Sequence, residues 1–379
     1  MGTRGSGIDQ AGAEGNQWSR ITQYSHLNNT KEQARKLDEI TVFDRYSRQI
    51  PLPGIGTRGQ RRLEEAYVVI VGCGALGTTT ATCLARAGVG KIRIIDRDFI
   101  EYHNLQRQVL FDEEDIENQL PKAVAAERHL RKINSSIQVE GIVTDVNPAT
   151  IERLVQGADL LLDGLDNLET RYLINDIALK HQIPWIYGAA ISSSGMTMNI
   201  IPGRTPCFRC VFPKLPNPEM ILTCDTGGIL NTVPLIVGSL QATEAIKILV
   251  GAPDISQDLV FIDVWEGLFR RFKTGKGPER SCPSCRGEYE FLDRRLGTRT
   301  ALLCGQNAVQ IINPEVKEVS LKNLSTRLES LGKVTLNEFM LRFDIDGFEM
   351  FIFPDGRAIV KNTNDESLAR GLYAKYIGS

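Results

Sequence analysis

The sequence lacks a long uninterrupted apolar segment, an apolar N-terminal stretch and an excess of charge of either sign. The most apolar segment, residues 233–250, contains Glu244 and Lys247, so we expect no membrane-spanning helix. Because the first residues carry no apolar signal core, we expect a cytosolic protein. The formal net charge of −2 gives no reason to expect nucleic acid or a membrane surface as a partner.

The length and composition are those of a globular protein with more than one domain. The chain has 379 residues, of which 42% are hydrophobic and 24% charged. Residues 1–36 are rich in Gly, Asn, Gln and charge and lack periodicity, so we expect a flexible N-terminal extension. We expect a large α/β domain over residues 37–286 and a small α+β domain over residues 287–379. In the small domain, short strand patterns at residues 301–303, 338–343, 348–353 and 358–360 surround helix patterns at residues 321–331 and 366–376.

A glycine-rich turn after a short apolar run is the most informative local pattern. Residues 68–71 are apolar and lead directly into Gly72, Gly74 and Gly77, and a helix pattern follows. Asp96 closes the next strand pattern about twenty residues beyond the glycines, where a carboxylate can bind a ribose hydroxyl. The alternative is a tight strand–helix turn that binds nothing, but strand, helix and Asp96 together favour a nucleotide. This pattern does not distinguish NAD from ATP.

Strand and helix patterns then alternate, which predicts a Rossmann-like, mostly parallel sheet with flanking helices. The predicted strands are residues 68–71, 91–95, 137–143, 159–163 and 184–191. The predicted helices are residues 76–87, 123–133, 169–180 and 233–250.

Four charged residues follow strands or begin helices, at the sheet edge where open α/β folds bind ligands. They are Asp96, Arg107, Lys122 and Asp166. Hydride transfer needs no cluster of cations, whereas attack on an α-phosphate requires neutralisation of the phosphates. Asp166 would then hold Mg²⁺. Each residue alone could be a surface ion-pair partner, but together they favour nucleotidyl transfer.

Two C-x-x-C pairs supply four thiolates, the number that one tetrahedral zinc requires. They are Cys207 with Cys210 and Cys282 with Cys285. Two redox pairs or unpaired cysteines are the alternatives. For a cytosolic chain we favour a structural zinc without an open coordination position.

In these motifs the chain resembles the ThiF/MoeB/HesA family, the prokaryotic relatives of ubiquitin-activating enzymes. The matching segments lie in order between Arg45 and Cys285. They are residues 45–50 (RYSRQI), 72–77 (GCGALG), 96–98 (DRD), 104–108 (NLQRQ), 121–122 (PK), 163–167 (DGLDN), 224–227 (CDTG) and the paired cysteines. The C-terminal segment is similar to the tail of Bacillus-type members.

The resemblance implies ATP-dependent adenylation of the C-terminal Gly-Gly carboxylate of a small β-grasp carrier protein. It implies a homodimer in which Arg48 reaches the active site of a second subunit. Cys224 matches a cysteine that can capture the activated carrier or a persulfide, although an inert loop thiol is the alternative. The implied ATP-binding residues are Gly72, Gly74, Ala75, Leu76, Gly77, Asp96, Asp98, Asn104, Arg107, Gln108, Lys122, Asp166 and Asn167.

The chain departs from some relatives because no sulfurtransferase domain follows, so we expect a separate sulfur-donor protein. We favour a ThiS-like carrier of thiamine thiazole biosynthesis, with a MoaD-like carrier of molybdopterin biosynthesis as the alternative. Two other classes stay open: an NAD-dependent oxidoreductase, which leaves Arg48, Lys122 and the cysteines unexplained, and a non-catalytic scaffold that binds nucleotide.

Overall fold

The computed structural model describes residues 44–214, 227–275, 277–293, 299–303, 307–313 and 319–377. The chain divides into two compact units, one ending at Thr57 and the other beginning at Arg58. The described part of the first unit is mostly a series of turns in which Arg48 is exposed. A helix, α1, runs over Gly56–Glu65.

An eight-stranded sheet in the order β3-β2-β1-β4-β5-β6-β7-β8 organises the second unit. Its first five strands pair in parallel and the last three pair antiparallel. The expectation of a mostly parallel α/β sheet is confirmed. The strands are β1 Tyr67–Val71, β2 Lys91–Asp96, β3 Gln138–Val143, β4 Leu160–Asp163, β5 Trp185–Ile191, β6 Ser194–Ile200, β7 Asp258–Asp263 and β8 Leu268–Lys273.

Helices cover both faces of this sheet, which is why its central strands are apolar throughout. The strand order reverses between β1 and β4, and a crevice at the carboxyl ends of such strands is the usual ligand site. The helices are α2 Ala75–Ala87, α3 Tyr102–Leu105, α4 Glu113–Glu117, α5 Lys122–Ile133, α6 Ile151–Val155, α7 Leu168–His181, α8 Phe208–Val211 and α9 Thr232–Val250.

Helix α9 is long and apolar enough to cross a membrane by length and composition alone. In the structure, Ala242, Ala245 and Val250 belong to the same hydrophobic core as residues of β1 and α2. A Cβ atom at Gly238 would lie 2.8 Å from the Thr79 side chain, so α9 and α2 are in close contact. The apolar sequence of α9 is therefore explained by its packing in the core.

A second, six-stranded sheet follows, in the order β11-β12-β13-β14-β10-β9. Two helices, α10 Leu321–Leu328 and α11 Glu366–Tyr376, pack on one face of it. This agrees with a small α+β fold, while the domain bounds stay predictions. Its strands are β9 Arg299–Leu303, β10 Ala308–Ile312, β11 Lys333–Leu336, β12 Leu341–Ile345, β13 Phe348–Ile352 and β14 Ala358–Lys361.

The expected strand at residues 338–343 begins later than its apolar pattern suggests. The Asn337 side chain accepts hydrogen bonds from the backbone N–H groups of Phe339 and Met340 at 2.9 Å each. This local turn takes up backbone donors that a strand would use, and β12 starts only at Leu341.

Candidate active site

The turn between β1 and α2 is packed too closely for side chains. Gly72 has a φ of +93°, and a Cβ atom there would lie 2.7 Å from the Gly164 carbonyl. A Cβ atom at Gly77 would lie 2.1 Å from the Gly72 oxygen. Gly74 is the N-cap residue of α2, so no capping side chain occupies the N-terminus of this helix. The N-terminus of a 13-residue helix therefore lies next to a turn with little steric bulk, an arrangement suited to phosphate.

Asp96 lies beside this turn at the end of β2. Its Oδ2 accepts a hydrogen bond from the Cys73 backbone N–H at 2.6 Å, and its Oδ1 accepts one from the Asp98 N–H at 2.7 Å. Burial raises the pKa of Asp96, although Lys122 opposes that rise. Each carboxylate oxygen retains a further lone pair, with which it can accept a hydrogen bond from a ribose hydroxyl.

Lys122 is the first residue of α5 and is almost fully buried, with 8% of its side chain exposed. Its Nζ lies 3.3 Å from Asp98 Oδ2, and its backbone N–H donates to the Asp98 carbonyl at 2.9 Å. Burial alone would lower the pKa of Lys122, but Asp98, Asp96 and Asp166 raise it above its ordinary value. Burial also favours the neutral form of Asp98, yet Lys122 and Arg97 lower the pKa of Asp98 below its ordinary range.

The polar turn after β4 carries Asp166 and Asn167. Asp166 is exposed, and its charge contributes to the raised pKa of Lys122 and of Arg97. Asn167 caps α7, because its Oδ1 accepts a hydrogen bond from the Thr170 N–H at 3.0 Å. The cap gives Asn167 a structural role, and contact of this residue with ATP stays a prediction.

Helix α3 and the turn after it carry three more residues that are expected to bind ATP. Asn104 is buried and its Oδ1 accepts a hydrogen bond from the Glu101 N–H at 3.0 Å. The guanidinium of Arg107 donates to the His103 carbonyl at 2.7 Å, and within the described residues it forms no ion pair. Gln108 is buried, and its Oε1 lacks a hydrogen-bond partner in the described part of the chain. Arg107 is thus not neutralised by a described carboxylate.

A buried ion pair stabilises the turn that follows β4. Asp163 Oδ2 lies 2.8 Å from Arg171 Nε, and Arg171 also donates to the Gly188 carbonyl at 2.8 Å. The Gln241 amide donates to the Asp163 carbonyl at 2.9 Å and lies where a Cβ atom of Gly188 would be. Sequence reasoning missed Arg171 and Gln241, since both occur within ordinary helix patterns.

A second unexpected pair joins two strand ends. Arg97 Nη1 lies 2.6 Å from Asp145 Oδ1, and Arg97 Nε lies 3.7 Å from Asp98 Oδ1. Asp145 lies two positions after the end of β3, and Arg97 directly follows β2. The position of Asp145 after a predicted strand, at the carboxyl edge of the sheet, was the feature of the sequence that could have identified this pair.

The four paired cysteines meet although Cys210 and Cys282 are 72 positions apart in the sequence. Their sulfur atoms lie within 4.8 Å of one another, and three of the pairs are separated by 3.5–3.6 Å. A tetrahedral zinc with Zn–S bonds of about 2.3 Å requires sulfurs about 3.8 Å apart. The expectation that these cysteines can hold one metal ion is confirmed.

Helix α7 connects both halves of this cluster, which the sequence did not reveal. Asn175 accepts a hydrogen bond from the Phe208 N–H at 2.9 Å, next to the first pair. Asp176 accepts hydrogen bonds from the Ser284 hydroxyl at 2.7 Å and the Phe291 N–H at 2.9 Å, next to the second pair. Because Asp163 and α7 flank the β4 turn, the cysteine cluster is linked to the turn that carries Asp166.

A cavity of about 500 Å³ is lined by Ser192, Ser193, residues 227–230 and Trp265. The Gln106 side chain donates to the Ile229 carbonyl at 3.4 Å, so the cavity adjoins the segment that carries Asn104 and Arg107. Cys224 lies outside the described residues. Arg48 belongs to the first compact unit and is exposed there.

The model of the ThiF family matches residues 46–284. The chain belongs to the ThiF family. This confirms the resemblance stated from the motifs, and the match includes the glycine turn, Lys122 and three of the four paired cysteines.

Several relatives of this ThiF-family chain are named for sulfur-carrier activation. The chain is 42% identical over 336 residues to the sulfur carrier protein ThiS adenylyltransferase of Bacillus subtilis, covering 88% of this chain and 99% of that protein. It is 36% identical to the sulfur carrier protein adenylyltransferase of Thermus thermophilus, over 65% of this chain and 92% of that one. It is 38% identical to adenylyltransferase and sulfurtransferase MOCS3 of Xenopus laevis, over 70% of this chain but only 62% of that protein.

Solved structures agree with the family assignment. The crystal structure of Escherichia coli MccB with ATP superimposes with a TM-score of 0.54 at 25% identity, covering 60% of this chain and 69% of that chain. A complex of the same protein with MccA-N7isoASN gives a TM-score of 0.57 at 26% identity, covering 64% and 74%.

Proposed function

We propose that this protein is an ATP-dependent adenylyltransferase that activates the C-terminal Gly-Gly carboxylate of a small β-grasp sulfur carrier of the ThiS type. The observation that carries the proposal is the buried Lys122 next to Asp98 and Asp96, beside a glycine turn at a helix N-terminus. The Bacillus subtilis relative, matched over 99% of its length, supports this carrier class. The MOCS3 relatives make a MoaD-type carrier the second candidate.

In the proposed reaction, a carboxylate oxygen of the carrier attacks the α-phosphorus of ATP. The bond from that phosphorus to the bridging oxygen of the β-phosphate breaks, and pyrophosphate leaves with the bonding electrons. Lys122 and Arg107 stabilise the charge that develops on the phosphates. Asp96 orients the ribose, and the N-terminus of α2 receives a phosphate oxygen.

Two metal ions fit the residues present. Asp166 is an exposed carboxylate at the same sheet edge and would hold the Mg²⁺ that accompanies ATP. Cys207, Cys210, Cys282 and Cys285 would hold a structural zinc, since four thiolates leave no coordination position for a reactant.

The carrier is proposed to dock beside the cavity at Trp265. The Trp265 side chain is 77% exposed, and Leu268, Phe269 and Phe272 of the neighbouring β8 are exposed as well. Large exposed apolar side chains that are close together in the chain, as on this edge strand and the turn before it, are typical of protein contacts. The cavity of about 500 Å³ adjoins the segment before Arg107 and is large enough for an extended glycine tail.

The proposed assembly is a cytoplasmic homodimer whose active sites each receive Arg48 from the other subunit, with sulfur supplied by a separate protein. Arg48→Ala and Asp166→Ala homodimers should both be inactive. In mixed dimers of the two variants, one active site carries both lesions and the other carries neither. Partial recovery of activity in purified mixed dimers is expected, whereas no recovery would place Arg48 outside a shared site.

Exchange of radiolabelled pyrophosphate into ATP tests the proposed reaction. Exchange should require a carrier with a free Gly-Gly end and should disappear with the same carrier lacking its last glycine. A ThiS-type and a MoaD-type carrier tested side by side decide between the two candidate substrates. Failure of both carriers to support exchange would contradict the proposal.

A further inference from the structure

The segment between Asp96 and Asn104 is held in place by the C-terminal sheet. Phe99, in the middle of the segment, packs against Phe353 and Phe351, with ring centroids 5.8 Å and 6.5 Å apart. Lys361 of β14 forms an ion pair with Glu101. Two residues of this segment, Asp98 and Glu101, in turn contact residues that are expected to bind the nucleotide. Asp98 binds Lys122, and the Glu101 N–H donates to Asn104.

Arg357 occupies the centre of this contact and has few partners for a buried cation. It is 2% exposed, and its guanidinium lies 3.7 Å from the centroid of the Phe353 ring. Its Nη2 donates to the Arg97 carbonyl at 3.3 Å. Asp355 is 3.9 Å from Nε, which is an ion pair without a hydrogen bond. Within the described residues, Nε and Nη1 have no hydrogen-bond partner.

Unsatisfied buried donors on a charged group are costly, so their presence calls for an explanation. Arg357 lies close to Asp98, because its Nη2 donates to the carbonyl of Arg97, the residue just before Asp98, and its charge helps to lower the pKa of Asp98. In the described structure Asp98 is bound by Lys122 at 3.3 Å. When a triphosphate competes for the same ammonium group, Asp98 keeps Arg97 at 3.7 Å, which is too far for a hydrogen bond. The positive charge of Arg357 then contributes a larger share of the stabilisation of the Asp98 carboxylate.

We propose that Arg357 is a positioning residue of the nucleotide site, which stabilises the Asp98 carboxylate when ATP phosphates draw Lys122 away from it. This inference rests on the proposed function, because it assumes that ATP binds at Lys122. It assigns the C-terminal sheet a role in ATP binding: the Phe353 ring supports the guanidinium, and Arg357 supplies positive charge close to Asp98. The guanidinium is suited to this role because it stays protonated and presents its donors in a fixed plane.

Direct binding of MgATP, measured by calorimetry without any carrier, tests this role. Arg357→Gln removes the charge and should weaken MgATP binding about tenfold, the size expected for a hydrogen bond to a charged group. Arg357→Lys should restore most of the affinity. The matched control is Arg327→Ala in α10, which also removes an arginine that donates to a carbonyl, that of Tyr376 at 2.6 Å, but on the other face of the sheet. Arg327→Ala should leave MgATP affinity unchanged.

A double-mutant cycle with Asp98→Asn separates positioning from a purely structural role. Once Asp98 is neutral, Arg357→Gln should change MgATP affinity less than about twofold, because the charge it compensates is gone. If Arg357→Gln does not fold, Phe353→Leu replaces it, since that variant keeps the cation and disturbs only its support. It should weaken binding about threefold in the wild-type background and not in the Asp98→Asn background.

Wild-type affinity in the folded variants, or an equal loss of affinity in both backgrounds, would overturn the role of Arg357. Either result would leave carrier-dependent pyrophosphate exchange by the wild-type protein intact. Absence of MgATP binding to the wild-type protein would overturn the proposed function, and the role of Arg357 with it.

Discussion

Replacement of Lys122 by methionine is the most direct test of the site, because the change removes the ammonium group and keeps most of the side-chain volume. Lys122 Nζ lies 3.3 Å from Asp98, and only 8% of the lysine side chain is exposed. Loss of this cation removes the fixed charge nearest the expected phosphates. We expect exchange of pyrophosphate into ATP to fall by about a hundredfold to a thousandfold, as for other preorganised charges in active sites.

The effect on stability should be much smaller than the effect on catalysis. The variant leaves Asp98 without its lysine partner, but 28% of the Asp98 side chain is exposed to water and Arg97 lies 3.7 Å away. We therefore expect a loss of about 1–2 kcal/mol in the free energy of unfolding. For a chain of this size that corresponds to a fall in Tm of about 1–3 °C.

The difference in stability between wild type and Lys122→Met should depend on pH in a defined way. The pKa of Lys122 is raised, so its contribution is present below the ordinary lysine pKa of about 10.4 and is lost only as the pH rises through the higher folded value. The pKa of Asp98 is lowered, so its contribution is present above about pH 4 and is lost as the pH falls through the folded value. The difference should therefore be constant between about pH 6 and 9 and shrink in acid.

Chemical denaturation over this pH range and carrier-dependent exchange at neutral pH are the two assays. Lys132→Ala, an exposed lysine near the other end of α5, is the matched control and should behave as wild type in both. Exchange within twofold of wild type in folded Lys122→Met would remove Lys122 from the mechanism. A stability difference that changes near neutral pH would show that Lys122 in the wild type, or Asp96 in the variant, titrates there, contrary to the expectation of a constant difference.

Three further outcomes are expected. Metal analysis should find one zinc per chain in the wild type and in Cys83→Ser, whereas Cys282→Ser should lose the metal and have a lower Tm; full zinc in Cys282→Ser would refute the four-cysteine site. Arg171→Met should lower the free energy of unfolding by about 3–5 kcal/mol in urea denaturation because it strands the buried Asp163, and Arg171→Met with Asp163→Asn should recover part of that loss, unless the pair adds nothing beyond packing. Cys224→Ala should keep pyrophosphate exchange but lose later sulfur transfer in an assay of carrier thiocarboxylate; collapse of exchange itself would assign the thiol to an earlier step.

Features whose physical cause is local in the chain were predictable from the sequence. Strand–helix alternation predicted the parallel part of the sheet, because apolar strands covered on both faces are distinctive. The span expected for the last helix, residues 366–376, agrees with Glu366–Tyr376, and Asp365 caps it by accepting from two backbone N–H groups. The glycine turn was recognisable because Gly72 and Gly77 have no space for a side chain.

Several strands were not predicted, since nothing local distinguishes them. Strand β8 reads LFRRFK, and all six of its residues are exposed, so neither alternation nor a continuous apolar run marks it. It is a strand because it pairs with β7 along its whole length. Its formation therefore depends on a neighbouring strand rather than on its own pattern.

By itself, the sequence determined the family, the class of the main sheet and which residue types meet at its carboxyl edge. Only the tertiary structure decided which of those charges contact one another. Asp98 pairs with Lys122, Asp163 with Arg171, and Arg357 reaches the backbone of Arg97 across 260 positions of sequence. The physical reason is that the interaction energy and the pKa of a charged group depend on its burial and on its neighbours. Both are determined by contacts between segments far apart in the chain.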